Sequence, residues 1–198
     1  MEIVMKRLSL TAIASLFVAS VAHAEPREFR IDPNHFSVGF LIDHVGYASQ
    51  LGQFLKSEGE FVYDEENHEL ISGEVRIDAS SVFTNHDRRD RHLRSDDFLD
   101  ADEHETIRFS VTDFVAGEGD GATVIGELTM LGQTHPVELQ ATVNKAAVYP
   151  FGHERHTLGV SARTTITRSQ WGMTYGLEGD LVGDEVELIF EFEALLQP

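Results

Sequence analysis

The sequence predicts an all-β fold of antiparallel strands carrying one short helical insertion. Apolar residues recur at every second position through much of the chain, and the breaks between these runs are short and rich in turn formers. One interruption alone is long, from about Ser80 to Glu105, and it has the composition of a charged helix.

The alternation is clearest in three places. Phe36, Val38, Phe40 and Ile42 alternate with Ser37, Gly39, Leu41 and Asp43; Val137, Leu139, Ala141 and Val143 with Glu138, Gln140, Thr142 and Asn144. Val186, Leu188, Phe190, Phe192 and Ala194 alternate with Glu187, Ile189, Glu191 and Glu193. A period of two marks a strand with one dry face and one wet face. Weaker versions at 54–63, 70–78, 107–115, 122–131 and 157–167 bring the expected number of strands to eight. Asp64-Glu65-Glu66-Asn67, the glycine-rich stretch 117–121, Gly132-Gln133-Thr134 and the segment 179–184 separate them. Such short breaks make hairpins, because parallel strands need crossovers of about a dozen residues or more.

Inside the long interruption, Arg88, Arg89, Arg91 and Arg94 fall within seven residues of a chain whose net charge is −19. Asp87 and Arg91, like Asp90 and Arg94, stand four apart, which suits a helix braced by its own ion pairs. Ser95 is placed to cap a second turn containing Asp97, Phe98 and Leu99. Eight strands of this kind either stack as a sandwich or close into a barrel. A closed barrel has no exposed edges, and eight staves leave room for side chains or one small ligand. The alternation does not choose between the two.

Lys6 and Arg7 precede an apolar run from Leu8 to Ala22, and Ala22-His23-Ala24 follows. This is the pattern of an export signal cleaved after Ala24, and the run is shorter than the ~20 residues of a spanning helix. Residues 1–24 are therefore read as a leader, and 25–198 as one periplasmic domain with no stable membrane anchor. Cysteine is absent, which excludes disulfides and thiolate chemistry. Without the leader, 13 basic and 33 acidic residues remain, a net charge of −20. That surface repels phosphate backbones and argues against nucleic acid as a partner.

IDPNHFSVGFLIDH (31–44) with Gly52-Gln53-Phe54, the block VRIDASSVFTNHDRRDRHLRSDDFLDADEHETIRF (75–109), GELTMLGQTHPVEL (126–139) and RSQWGMTYG (168–176) occur in an order that resembles the YceI-like family of periplasmic polyisoprenoid-binding proteins. The HLRSDDF block carries most of the specificity. The resemblance implies an eight-stranded antiparallel lipocalin-like barrel with a short helical insertion around 80–105. It also implies a polyisoprenoid threaded through the apolar interior. Phe36 stands where a small residue is common, and Gln170-Trp171 replaces a usual Asp-Phe; a tryptophan there would alter the shape of the cavity.

The ligand-lining candidates are Phe36, Val38, Phe40, Ile42, Phe54, Phe109, Leu128, Met130, Val186, Leu188, Phe190 and Phe192, with Leu93, Phe98 and Trp171 near a mouth. Arg91 and Arg94, one helical turn apart, are the headgroup candidates, since a guanidinium grips phosphate through two hydrogen bonds. The competing reading is that the local aspartates already occupy them. No metal is expected: His86 and His92 are six apart, and His153 and His156 three apart, without a third ligand beside them. His35 and His44 bracket the first long strand as capping residues. No nucleophile elbow or phosphate loop occurs, and no cofactor is implied. An enzyme acting on a prenyl lipid would draw on His92 and Asp97 for acid–base work. An adaptor would instead have a dry barrel and use its acidic surface to dock a partner. Pairing of two copies is compatible with the sequence.

Overall fold

The computed structural model describes residues 25–198; the expected leader, 1–24, lies outside the described residues. Ten strands are formed: β1 (Arg27–His44), β2 (Ala48–Phe54), β3 (Ser57–Asp64), β4 (Glu69–Asp78), β5 (Val82–Phe83), β6 (Thr106–Ala116), β7 (Gly121–Met130), β8 (Gln133–Val148), β9 (His156–Thr167) and β10 (Val182–Leu196). One helix, α1 (Asp87–Leu93), stands between β5 and β6. The strands form an antiparallel ring in the order β10-β9-β8-β7-β6-β4-β3-β1, and β1 pairs back onto β10. This is a closed eight-stave barrel, and the sandwich alternative is excluded by that last pairing.

β1 carries the closure. Along one side it pairs with β10 from Phe29↔Leu196 to His44↔Val182. Along the other, β3 takes residues 27–30 and β2 takes 38–44. β2 and β3 therefore lie end to end as one stave, which is how ten strands give the expected eight. The first half of β1 escapes period-two reading because Asp32-Pro33-Asn34-His35 interrupts it, and the register with β10 shifts between Ile31 and Phe36. There the Asp32 carboxylate accepts from the Asn34 amide at 3.0 Å and meets His35 Nδ1 at 2.7 Å.

Beyond Gln53 and Phe54, which pair with β5, nothing continues the ladder from β2 towards β6. The insertion stands in that part of the wall. His86 caps α1, its ring accepting from the Arg89 amide at 3.3 Å. The expected ion pairs within the helix do not form. Asp90 is turned inward, 5% exposed, and accepts from the Thr84 amide and hydroxyl. Arg94 instead donates to the carbonyls of Ser80 and Val82 at 3.5 and 3.3 Å. Ser95 caps nothing: its hydroxyl donates to the His92 carbonyl, and 95–99 is a series of turns. Specific burial of Asp90 outcompetes a solvent-exposed pair worth only tenths of a kcal/mol.

Two inward glycines make room for rings. The Phe40 ring lies over Gly52 of the neighbouring strand, and the Phe109 ring lies over Gly126, in the space a Cβ would fill. Gly52→Ala and Gly126→Ala should each destabilise the fold by roughly 1–3 kcal/mol through overpacking against those rings. Urea unfolding provides the measurement, and midpoints equal to that of the parent protein would contradict the stacking.

Candidate functional site

The barrel is hollow, and its interior is divided into two chambers. Ile31, Phe61, Tyr63, Leu70, Val75, Val111, Phe114, Val124, Ala141, Leu158, Val160, Ala162 and Phe192 surround the smaller, of about 150 Å³. Val38, Phe40, Ile42, Phe54, Leu93, Phe98, Leu128, Met130, Ile166, Val186 and Leu188 surround the larger, of about 300 Å³. Phe109, Leu139 and Phe190 line both and form the waist between them. Together the chambers fall in the size range of small-molecule sites, roughly 300–1,000 Å³. The space arises because small inward residues such as Gly73, Ala122, Ala141 and Ala162 stand among large ones.

Of the candidates read from the sequence, Val38, Phe40, Ile42, Phe54, Leu93, Phe98, Phe109, Leu128, Met130, Val186, Leu188, Phe190 and Phe192 lie on these walls. Phe36 and Trp171 do not. Phe36 packs edge-on against Phe192, with ring centroids 5.6 Å apart. Trp171, 1% exposed, sits behind the wall with its indole donating to the Leu128 carbonyl at 3.1 Å and its ring edge-on to His135. The tryptophan therefore supports the larger chamber from outside instead of shaping it directly.

The two chambers differ in chemistry. The smaller is largely apolar, its polar lining residues being Glu60, Tyr63, His68, Glu74, Asp120 and Thr142; burial, with Glu65, Asp120 and Asp64 adding, pushes the Tyr63 phenol up and keeps it neutral. The larger ends in a polar group: Asp43, His44, Gln50, Thr84, Arg89, His92, Arg168 and Tyr175. Arg91 is exposed and Arg94 is occupied by backbone carbonyls; neither lines a chamber. The arginine that reaches the cavity is Arg89, held by Thr84, whose hydroxyl accepts from Nε at 2.7 Å and whose carbonyl accepts from Nη2 at 2.8 Å. Its remaining nitrogen, Nη1, has no hydrogen bond among the described residues. His92 Nε2 meets Asp97 Oδ2 at 2.7 Å, and its ring stands edge-on to Phe98 and Tyr175. Among the described residues, no group of three or more His, Asp or Glu side chains is arranged to hold a metal.

Arg168 opens the RSQWGMTYG segment, but sequence reasoning assigns it no role, because a lone arginine at a strand end looks like a surface residue. It is 2% exposed. Its guanidinium donates to the carbonyls of Gly183 (2.7 Å), Met173 (2.6 Å), Tyr175 (2.9 Å) and Val182 (3.0 Å), which fastens the 172–183 loop to the barrel. Burial lowers its pKa from the ordinary arginine value, and the Asp184 carboxylate offsets part of that. The Phe98 ring lies 5.8 Å above it.

A YceI-like domain model matches residues 29–194. The chain belongs to the YceI-like family. It is similar to a UPF0312 protein of Pectobacterium atrosepticum, 36% identical over 190 residues that cover 96% of both chains. The YceI-like barrel also resembles the crystal structure of Burkholderia cenocepacia BcnA, with a TM-score of 0.74 at 20% identity, over 82% of this chain and 98% of that one. A polyisoprenoid-binding domain from Saccharophagus degradans has the same fold, with a TM-score of 0.63 at 15% identity, over 85% of this chain and 98% of that one.

Replacing Arg168 with Met would strand four carbonyls in the wall of this YceI-like barrel, each costing roughly 1–3 kcal/mol if unsatisfied. Arg168→Met is expected to lose about 3 kcal/mol or more and to speed amide exchange across 172–183. Hydrogen exchange at parental rates in that loop would show that the clasp is dispensable.

Proposed function

We propose that this protein is a periplasmic carrier that binds one extended polyisoprenoid lipid (a prenyl phosphate, prenyl alcohol or quinone) inside the barrel without altering it. The leader would be removed after Ala24, leaving 25–198 as the lipid-binding domain. The observation that carries the reading is the hollow interior: two largely apolar chambers in line, meeting at Phe109, Leu139 and Phe190, with both arginines of the lining, Arg89 and Arg168, on the larger. The Saccharophagus degradans neighbour, described as polyisoprenoid-binding, has the same barrel.

An isoprenoid tail suits this space because it is slender, flexible and apolar throughout. Its transfer from water gains roughly 25 cal/mol per Å² buried. Several hundred Å² are needed to offset an association cost on the order of 4–15 kcal/mol. The tail belongs in the smaller chamber and the waist. The head belongs in the larger chamber at Arg89, in place of Arg91 and Arg94, because Arg89 alone of the helix's arginines faces the cavity. Among the described residues Arg89 is in no salt bridge and its Nη1 donates to nothing, so an anionic head would meet a free donor there, with the Arg168 guanidinium, already held by four carbonyls and near Asp184, behind it. A second reading, acid–base chemistry on the bound lipid, rests on the His92–Asp97 contact at the same chamber.

Native mass spectrometry of protein purified without detergent is expected to show a retained hydrocarbon-rich mass, one per chain. Arg89→Ala should weaken prenyl phosphate by about tenfold or more, the value of a charged hydrogen bond, while leaving prenyl alcohol nearly unchanged. Arg91→Ala serves as the exposed control and should change neither. Equal losses for both lipids would remove the headgroup role, and an empty interior would sink the carrier. Conversion of the lipid to product would favour the enzyme.

A further inference from the structure

The larger chamber is bordered by a hairpin tip whose sequence is costly for folding alone. β1 and β2 are joined by His44-Val45-Gly46-Tyr47, closed by the Tyr47 amide donating to the His44 carbonyl at 3.1 Å. Val45 and Gly46 both take positive φ, 56° and 69°. His44 pairs with Ala48, so three residues connect the strands; a turn with positive φ at both central positions selects Asn, Asp or Gly at the first, and a β-branched residue there is strained. Val45 is the single β-branched residue in the left-handed region among the described residues. The turn joining β7 and β8 at the same end carries Leu131 in the same conformation, with φ 51°. Leu131, however, packs against the core, which offsets its strain. Val45 has no such return: it is 40% exposed, and Tyr47 beside it is 91% exposed.

These two side chains are not isolated. The Val45 amide donates to the carbonyl of Leu181, itself 50% exposed, and Tyr175 is 46% exposed. Asp43, His44, Gln50, Tyr175 and Val182, from the same three segments, line the chamber. The exposed apolar tip thus continues directly into the cavity wall. From His44 to Leu55 the chain has no Asp, Glu, Lys or Arg, in a protein of net charge −19. The turns at the opposite end of the barrel carry Asp64, Glu65, Glu66, Glu118, Asp120 and Glu154. Around the tip the charged neighbours are Glu178 and Asp180 in the adjoining loop, and Asp87, Arg88, Arg91, Asp96 and the His92–Asp97 pair on the insertion. With Asp43, whose carboxylate accepts from the Gly46 amide, these carboxylates outnumber the two arginines, so the neutral part of this end is the hairpin tip itself, from His44 to Leu55.

We propose that this end of the barrel docks on a phospholipid bilayer, with Val45, Tyr47, Tyr175 and Leu181 entering its interfacial region and the larger chamber facing the lipid. The proposal rests on the lipid-carrier reading, which requires a cargo to move between bilayer and barrel without crossing water. An aromatic with a polar tip and a small aliphatic are suited to that depth, where the apolar body is buried and the hydroxyl stays wet. The strain at Val45 is then a cost of folding retained for contact with the membrane.

The test uses the mature chain, 25–198, and its Val45→Asn/Tyr47→Ser variant, which restores the residue type the turn prefers. Four quantities are read: flotation with phosphatidylcholine vesicles, uptake of a fluorescent prenyl lipid from those vesicles, equilibrium binding of the same lipid delivered from ethanol, and melting temperature. The parent protein should float. The variant should float and take up lipid about tenfold less, as expected for removal of two buried apolar groups. Its equilibrium binding should be unchanged and its melting temperature equal or higher. Equal flotation and uptake by the two proteins overturns the docking face, as does a parent protein that never floats. A parent dimer that the variant converts to monomer also overturns it and assigns the face to a second copy. Loss of flotation with no lipid bound by either protein upholds docking and defeats the carrier reading instead.

Discussion

Everything in this molecule depends on β1 pairing with β10. The chain has no cysteine, so no covalent link closes the ring. Closure rests on a ladder running nearly the whole of an 18-residue strand, from Phe29↔Leu196 to His44↔Val182. Once the sheet closes, the number of staves sets the diameter, and the interior must be filled by whatever side chains point inward. Here they do not fill it. Ala122, Ala141, Ala162 and Gly73 leave gaps that Phe61, Phe109, Phe190 and Phe192 only partly occupy. A hollow barrel follows from composition at inward positions, and it forgoes the packing that would have stabilised a solid one.

The insertion shows how the same chain trades regularity for chemistry. Between β2 and β6 the wall has no continuous ladder, and residues 84–99 take its place. A strand there would present alternate side chains at fixed spacing. The short helix and turns instead bring Thr84, Arg89, His92, Leu93 and Phe98 to one chamber. Asp90 anchors the arrangement from within by accepting from both donors of Thr84, which in turn holds Arg89. On the far side of the mouth Arg168 does comparable work with four carbonyls. Fixed polar groups at a chamber wall require such satisfied neighbours, since an unsatisfied buried polar group is expensive.

The barrel was legible where period two ran unbroken. β10 places Val186, Leu188, Phe190 and Phe192 inward, as its alternation requires, and the second half of β1 does the same. The smaller chamber was largely illegible, for a physical reason. Its walls come from strands whose registers shift, between Val62 and Tyr63, Val111 and Asp113, and Val143 and Lys145. Each shift swaps the inward face, so a count of every second residue loses its place there. The helix was legible, but not the direction of its charges. Spacing puts Arg91 and Arg94 on one face; which face meets the cavity depends on Asp90 turning inward to Thr84, a tertiary contact no local pattern encodes. Arg168 and Val45 were missed for opposite reasons: one is a charge that is buried, the other an apolar residue that is not.

That last pair bears on how the ends of the barrel divide their labour. The Arg168 guanidinium is buried with four carbonyls pointing at it and the Asp184 carboxylate acting on it, and it stands with Arg89 at the chamber's end. On the carrier reading proposed above, an acceptor-rich head would find a free donor at Arg89 and an apolar tail would not, which would set the head towards that end. The apolar rim lies at the same end as that polar group. A lipid entering tail first through this mouth would pass its tail by the waist into the smaller chamber before its head reached the guanidiniums. On that reading, the strained valine, the uncharged run that follows it and Arg89 would all serve a single direction of travel.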